Sequence, residues 1–195
     1  MLRQPVNIAI LASGSGSNAQ KIMEYFKDRT DIKVKLLLSN NPSAYALERA
    51  QNMQVNTHVF DRATFRNTDD VLNILKDNSI DWLILAGFLW LIPDNLLKAY
   101  PCRIVNIHPA LLPNYGGKGM YGAKVHEAVI AAGDKESGIS IHYINEHYDE
   151  GEIIFQAKCL INEGDSADVL ADKIHKLEHE HFPQIIDKVI KESKS

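Results

Sequence analysis

The sequence predicts an α/β protein with a doubly wound, mostly parallel sheet, helices on both faces and an antiparallel C-terminal extension. Through about residue 100, short β-favouring runs alternate with segments whose apolar residues recur at helical spacing, as in consecutive βαβ units. Trp82–Ala86 is apolar throughout, as expected of a strand buried on both faces of a parallel sheet. The length of 195 residues favours one domain over residues 1–195.

In the first half, the strands are short β-favouring runs and the helices carry apolar residues on one face. The first strand ends in a loop of glycine and serine, and the second is closed by Ser39-Asn40-Asn41-Pro42. The predicted strands are Val6–Ala12, Val34–Leu38, Asn56–Phe60, Trp82–Ala86 and Arg103–Ile107. The predicted helices are Asn18–Phe26, Ala44–Gln51, Thr68–Asp77 and Pro93–Ala99.

The second half has a different pattern, with fewer alternations and one long helical segment. Lys124–Ala132 is predicted to be a helix, and the β-runs Gly138–Ile144 and Gly151–Leu160 flank an acidic turn, which predicts an antiparallel pair. Asp168–Glu192 is predicted to be a terminal helix that is interrupted near Pro183, because proline lacks the N–H that continues a helix.

Composition and charge exclude several classes of protein. The net charge of −4 gives no footprint for nucleic acid, and no apolar run reaches membrane-spanning length. Cys102 and Cys159 are too few for a disulfide framework and fit no zinc spacing, so we expect both to be reduced. The N-terminal residues carry no signal-peptide pattern. These features predict a cytoplasmic enzyme without nucleic-acid or membrane partners.

The most informative segment is Asn106-Ile107-His108-Pro109 at the end of an apolar β-run. Residues two apart on a strand point to the same side, so Asn106 and His108 would face one cavity. An amide donor beside an imidazole suits a carbonyl oxygen that becomes negative during acyl transfer. Asp149, in the acidic turn, could supply the base. The alternative is a structural histidine and an ordinary acidic turn, since both are common.

The loop Ala12–Asn18 joins the first strand to the first helix and contains only small residues before Asn18. Such a loop lets backbone N–H groups approach an anion at a helix N-terminus. The second strand ends without an acidic residue, which argues against a dinucleotide, and the loop lacks the Gly-Lys-Ser/Thr of a Walker loop. The pattern favours a monophosphate, and the alternative is a tight turn.

Three further segments each allow two interpretations. Ala86–Pro93 could wall a pocket for a flat heterocycle or belong to the core, and the glycine-rich loop 114–122 could be a flap or a surface loop. His175, Glu178 and His179 match the H-x-x-E-H pattern of one class of zinc peptidases. No third zinc ligand is evident, so a charged helix face is the favoured interpretation.

Taken together, these segments resemble the folate-dependent formyltransferases. The matching segments are Leu11–Asn18, Ser39–Asn41, Leu85–Phe88, Asn106–Pro113, Gly138–His142 and Asp149–Gly151, in family order over nearly the whole chain. The first loop and the chain length point to the members that formylate glycinamide ribonucleotide in purine synthesis. The resemblance implies the formyltransferase fold, with a phosphate-binding half at about 1–100 and a folate-binding, catalytic half at about 101–195.

The resemblance also implies a reaction in which the acceptor amine attacks the formyl carbon of 10-formyltetrahydrofolate, a cosubstrate, without a metal. Asn106 would donate a hydrogen bond to the oxyanion, and His108, protonated or nearly so, would act as general acid toward the folate nitrogen. Asp149 would hold the imidazole or a water that relays the amine proton. A homodimer is plausible for the family.

Binding roles follow from the same resemblance. The ribonucleotide phosphate would be held by Gly16, Ser17 and Asn18, and its ribose hydroxyls by Glu178. The folate site would be formed by Leu89, Trp90, Leu91, Ile92, Asn106, Asn145, Glu146, His147, Tyr148 and Asp149. Trp90 stands where some relatives have arginine, which changes the expected rim of the folate pocket. Glu150 and Glu152 stand where glycine and proline are frequent, which changes the expected backbone shape of the acidic turn.

Two other functions remain open at the level of sequence. One is formyl transfer to a different amine, such as that of a sugar nucleotide, which would need room for a diphosphate and a base. The other is a noncatalytic folate- or nucleotide-binding protein, against which the intact set of Asn106, His108 and Asp149 argues.

Overall fold

The computed structural model describes residues 4–193 and contains one seven-stranded sheet. Its strands are β1 (Val6–Leu11), β2 (Ile32–Ser39), β3 (Asn56–Val59), β4 (Trp82–Leu85), β5 (Ile104–His108), β6 (Glu136–Tyr143) and β7 (Ile153–Leu160). The strand order is β3-β2-β1-β4-β5-β6-β7, with parallel pairing from β3 through β5 and antiparallel pairing of β6 and β7. The mostly parallel sheet with an antiparallel extension is confirmed.

Helices cover both faces of this sheet. They are α1 (Ser17–Phe26), α2 (Tyr45–Asn52), α3 (Arg62–Asn67), α4 (Asp70–Asp77), α5 (Asp94–Ala99), α6 (Ala123–Ala132) and α7 (Ala167–Glu192). Alternate residues of β1 enter opposite cores, because successive strand side chains point to opposite faces. Ile8 and Ile10 pack with α1, α2 and α7, whereas Ala9 and Leu11 pack with α3, α4 and α5. The expected double covering of the sheet is therefore confirmed.

The direction of winding reverses at β1. The chain goes from β1 outward to β2 and β3, and then crosses back to β4 on the other side of β1. In sheets of this kind, ligands bind in the crevice outside the carboxyl ends of the strands where the order reverses. We therefore expect the ligand site to be formed by the segments that follow β1, β4 and β5.

Two parts of the helical prediction need correction. Helix α3 was not expected; its start is fixed by Asp61, whose carboxylate accepts from the Thr64 N–H while the Thr64 hydroxyl accepts from the Asp61 N–H. The predicted interruption at Pro183 is wrong, because α7 continues through it. Proline removes one N–H, and the buried residues Phe182 and Ile186 on either side hold the helix against the sheet.

The remaining differences are at element ends. Strand β6 begins at Glu136, before the predicted start, and β7 begins only at Ile153 because the acidic turn occupies more of the chain. Between Gln4 and Ser193, no helix combines the length and the apolar character that crossing a bilayer requires.

Candidate active site

A cavity of about 580 Å³ opens at the carboxyl ends of β1, β4 and β5. The three segments that follow these strands all line it: residues 13–18, 86–89 and 106–109. The other lining residues come from the glycine-rich loop, the acidic turn and α7, and they are residues 117–122, Tyr148, Asp149, His175 and Glu178. The fold therefore brings together side chains that are as far apart in the chain as Ser13 and Glu178.

Asn106 and His108 lie at the end of β5 with Asp149 opposite them. Both side chains reach the cavity, as the alternation of strand side chains predicts, while Val105 and Ile107 pack in the core beneath α7. His108 Nδ1 lies 3.6 Å from Asp149 Oδ2. Asp149 has a φ of 57°, a left-handed conformation that is uncommon outside glycine but more accessible to aspartate than to most residues.

The tautomer of His108 follows from its second contact. His108 Nε2 lies 2.8 Å from the carbonyl oxygen of Tyr115, and a carbonyl can only accept, so the proton of a neutral ring is on Nε2. Nδ1 then carries a lone pair toward Asp149. Burial lowers the pKa of His108, an effect that Asp149 and the Tyr115 carbonyl only partly oppose. The free protein thus favours a neutral imidazole, whereas the resemblance implied a protonated or nearly protonated one.

Asp149 is held as an anion by its neighbours. Burial by itself would raise the pKa of this carboxyl, but His142 and His108 in their protonated forms, together with the Gly117 N–H, outweigh burial and lower the pKa. The Gly117 N–H donates to Asp149 Oδ2 over 3.0 Å, which also ties the glycine-rich loop to the acidic turn.

His142 is a site residue to which the sequence had assigned no role. It is fully buried on β6, opposite Asn106 in the antiparallel register, and its Nε2 lies 3.6 Å from Asp149 Oδ1. Its Nδ1 lies 2.8 Å from the Tyr143 carbonyl, so a neutral ring is protonated there and its Nε2 can accept from Asn106 Nδ2 at 3.0 Å. The segment Gly138–His142 was part of the family resemblance, but only strand pairing shows this contact.

The loop after β1 presents backbone N–H groups at the cavity. The carbonyls of Gly14 and Ser15 accept from Ala46 N–H and Arg49 Nε of α2, at 3.1 and 2.8 Å. The first N–H groups of α1 have no partner within the helix, and its N-cap is Gly16, which has no side chain to satisfy them. These donors lie at the cavity, where a phosphate can accept from them.

Gly16 is required at the N-cap for two reasons. Its φ is +72°, in the left-handed region, and a Cβ there would lie 2.5 Å from the Cβ of Ala46. Close packing of the loop on α2 is therefore possible only without a side chain.

Glu178 and Asn18 form the opposite wall. Asn18 Nδ2 donates to Glu178 Oε2 over 2.9 Å, and Glu178 is buried apart from its access to the cavity. Burial raises the pKa of Glu178, and the hydrogen bond from Asn18 opposes this only in part. The rings of His175 and His179 lie 6.2 Å apart and nearly parallel. Residues 4–193 contain no group of three or more His, Cys, Asp or Glu side chains placed to hold a metal.

The residues expected to bind folate separate into two groups. Leu89, which is 45% exposed, and Tyr148 line the cavity together with Asn106 and Asp149. The others do not line it: Trp90, Leu91, Ile92, Asn145, Glu146 and His147.

Ile92 is part of the core, and the partly buried Trp90 packs against it. Trp90 packs against the aromatic rings of Phe60, Phe65 and Phe88, at centroid distances of 5.9 to 6.3 Å. Ile92 is 3% exposed. The cavity instead includes Lys118, Met120 and Tyr121, for which the only signal in the sequence was the glycine-rich character of their loop.

Comparison with known proteins identifies the family to which this chain belongs. The pattern of the formyl transferase family matches residues 6–186. The chain therefore belongs to the formyl transferase family.

Two similar proteins and one solved structure carry the name phosphoribosylglycinamide formyltransferase. The chain is 34% identical over 187 residues to a phosphoribosylglycinamide formyltransferase of Bacillus subtilis, covering 93% of each. It is 37% identical to a chloroplastic phosphoribosylglycinamide formyltransferase of Arabidopsis thaliana, covering 95% of this chain but only 65% of that protein. A phosphoribosylglycinamide formyltransferase structure from Bacillus halodurans superposes with a TM-score of 0.86 at 35% identity, covering 96% of each chain.

Proposed function

We propose that this chain transfers the formyl group of 10-formyltetrahydrofolate to the primary amine of glycinamide ribonucleotide, as a phosphoribosylglycinamide formyltransferase of de novo purine synthesis. The observation that carries the proposal is the convergence of Asn106, His108 and Asp149 with the small-residue loop before α1 in one cavity of a formyl transferase family member. The names of its relatives support this choice of acceptor.

The ribonucleotide is assigned to the side of the cavity formed by α1 and α7. Its phosphate would accept from the backbone N–H groups of Gly16, Ser17 and Asn18, where the helix dipole also favours an anion. Its ribose hydroxyls would donate to Glu178. Binding a donor next to this buried carboxylate replaces the hydration that burial removes.

The formyl carbon is assigned to the space between Asn106 and His108. The amine nitrogen bonds to that carbon, and the Nδ2 of Asn106 donates to the oxyanion that forms. His108 Nδ1, which carries a lone pair in the neutral tautomer, takes the proton that the amine loses and returns it to the folate nitrogen as its bond to the formyl carbon breaks. Asp149 stabilises the transient imidazolium from 3.6 Å.

Folate is assigned to the mouth of the cavity beside Leu89 and Tyr148. Contacts by Trp90, Leu91, Ile92, Asn145, Glu146 and His147 stay predictions. The formyl group of the donor is already activated, so these residues need no metal for the transfer.

The wider assignments are also proposals. The phosphate-binding half spans about 1–100 and the folate-binding, catalytic half about 101–195, in one formyltransferase domain. The net charge of −4 and two unpaired cysteines support a cytoplasmic enzyme of small-molecule substrates that binds neither nucleic acid nor membranes. The expected homodimer is checked by sedimentation of the purified chain.

The test is absorbance-monitored turnover of a 10-formylated folate with and without glycinamide ribonucleotide. We expect deformylated folate only when the ribonucleotide is present; release without it would identify a hydrolase, and no release would refute the proposal. Equilibrium titration with glycinamide ribonucleotide and with a sugar nucleotide separates the two classes of acceptor.

His108→Ala tests the mechanism within the same assay. We expect turnover to fall by about 100-fold or more, the usual contribution of general acid–base catalysis. Thermal unfolding should remain cooperative. Near-normal turnover would contradict the role given to the imidazole.

A further inference from the structure

The loop that we assign to phosphate is held from behind by α2. Two consecutive carbonyls accept from α2: Gly14 from the Ala46 N–H and Ser15 from Arg49 Nε. The next carbonyl, that of Gly16, accepts from the Gln20 N–H of α1. In a trans peptide the carbonyl and the following N–H point in opposite directions. The bonds from α2 to the Gly14 and Ser15 carbonyls therefore turn the N–H groups of Ser15 and Gly16 away from α2.

Arg49 makes the one side-chain contact among these three. Its Nε donates to the Ser15 carbonyl over 2.8 Å, so it sets the direction of the Gly16 N–H in the same peptide. Its Nη1 donates to the amide oxygen of Gln20, and its guanidinium lies 4.7 Å from the ring centroid of Tyr45. The hydrogen bonds of Nε and Nη1 and the contact of the guanidinium with the Tyr45 ring hold the Arg49 side chain in a single orientation.

The charge of Arg49 is also available to the loop. Within residues 4–193, its guanidinium has no carboxylate oxygen within the 4.0 Å of an ion pair. A cation behind the Ser15–Gly16 peptide polarises it, because the carbonyl that accepts from a charged donor makes the attached N–H a stronger donor in turn.

We propose that Arg49 is a positioning residue for the phosphate of the ribonucleotide: it fixes and polarises the Ser15–Gly16 peptide so that the Gly16 N–H meets the anion. This inference rests on the proposed function. Arg49 touches neither the formyl carbon nor the residues around His108, so its effect falls on ribonucleotide binding and not on the chemical step.

Arg49→Met tests the proposal, because methionine keeps an apolar stem against Tyr45 and loses both hydrogen bonds. We expect the KM for glycinamide ribonucleotide to rise about 10- to 100-fold, the effect of losing a charge-assisted hydrogen bond. The kcat at saturation and the KM for the formyl folate should stay within about twofold of the parent values. The lost interaction stabilises the ground state and the transition state equally, so it affects binding and not the chemical step. Arg49→Lys, which keeps the charge and one donor, should recover part of the loss.

Lys21→Met is the matched control. It removes a neighbouring positive charge that pairs with Glu24 on α1 and does not contact the loop. Its KM for the ribonucleotide should stay near that of the parent. A rise equal to that of Arg49→Met would overturn positioning in favour of a general charge effect.

A binding measurement separates this inference from the proposed function. Ribose 5-phosphate is titrated against the amide resonance of Gly16 in the parent and in Arg49→Met. If the parent binds ribose 5-phosphate and Arg49→Met binds it at least about tenfold more weakly, positioning is supported. This conclusion holds even if glycinamide ribonucleotide is not the acceptor. Equal affinity in both proteins, or a fall in thermal stability with unchanged KM and affinity, would show that Arg49 only packs α2 on the loop. If Arg49→Met does not fold, Arg49→Gln is measured by the same criteria.

Discussion

Replacing Asp149 by asparagine removes one negative charge from the site and almost no volume. The carboxylate lies 3.6 Å from His108 Nδ1 and 3.6 Å from His142 Nε2, and its side chain is 12% exposed. In the proposed reaction His108 becomes positive only while it carries the proton of the amine. The charge of Asp149 is therefore worth most in the transition state, and its loss should lower kcat more than it weakens binding.

The size of the effect follows from the distance. Two unit charges at 3.6 Å attract by roughly 5 kcal/mol at an effective dielectric constant of about 20. The variant amide keeps part of the local polarity, and solvent reaches the carboxylate, so about 2–3 kcal/mol of transition-state stabilisation should be lost. That corresponds to roughly a 30- to 160-fold fall in kcat at 25 °C.

The assay is steady-state release of deformylated folate at saturating concentrations of both substrates, with Asp134→Asn as the matched control. Asp134 accepts from the Tyr115 hydroxyl over 2.7 Å and does not line the cavity, so its variant should keep near-parental kcat. A kcat for Asp149→Asn within about threefold of the parent would refute the electrostatic role given to the carboxylate.

The same substitution has a signature in stability. Because the pKa of Asp149 is lowered in the folded state, the unfolded state binds more protons between the two pKa values. The contribution of Asp149 to stability is thus fully present above its ordinary pKa of 3.8 and is lost as the pH falls toward the lowered pKa. The free energy of unfolding, measured in urea, should fall more steeply on acidification through this range for the parent than for Asp149→Asn.

Two further predictions concern the ribonucleotide side of the cavity. Glu178→Gln should raise the KM for glycinamide ribonucleotide about tenfold or more by weakening acceptance from the ribose. Glu178→Gln should also raise the free energy of unfolding at neutral pH. The pKa of Glu178 is raised in the folded state, so the parent loses stability as the pH rises through that pKa, and glutamine does not. Unchanged stability together with an unchanged KM would contradict both the burial argument and the ribose contact. Gly16→Ala should cost about 2–5 kcal/mol of stability from left-handed strain and overpacking, with a higher ribonucleotide KM. Gly14→Ala is its control in urea unfolding and kinetics, since a Cβ at Gly14 meets nothing within 4 Å, and equal losses in both would contradict the packing argument.

Much of the fold was predictable because it depends on local pattern. Apolar runs such as Trp82–Leu85 and helices with one apolar face determine which segments are strands and helices, and their alternation determines a parallel sheet. The short helix α3 escaped prediction because its start depends on the capping pair Asp61 and Thr64 and not on a long periodic pattern. The continuation of α7 through Pro183 depends on tertiary packing, which outweighs the local preference of proline.

The candidate site divides in the same way. The sequence determined that Asn106 and His108 share one side of a strand, because alternation is a local property of the backbone. It also determined a small-residue loop before α1 that is suited to an anion. Only the tertiary structure decided that Ile92 enters the core and that the partly buried Trp90 packs against it, because the residues of this cluster come from distant parts of the chain.

The contacts across the cavity were likewise decided by the tertiary structure. The antiparallel register sets His142 opposite Asn106, the turn after β6 brings Asp149 to His108, and α2 supplies Arg49 to the loop at Ser15. Each of these pairs joins residues that are more than thirty positions apart, so no spacing along the chain encodes them. The residue types and local directions of the site come from the sequence, whereas its distances, tautomers and charge states come from the folded arrangement of the strands and helices.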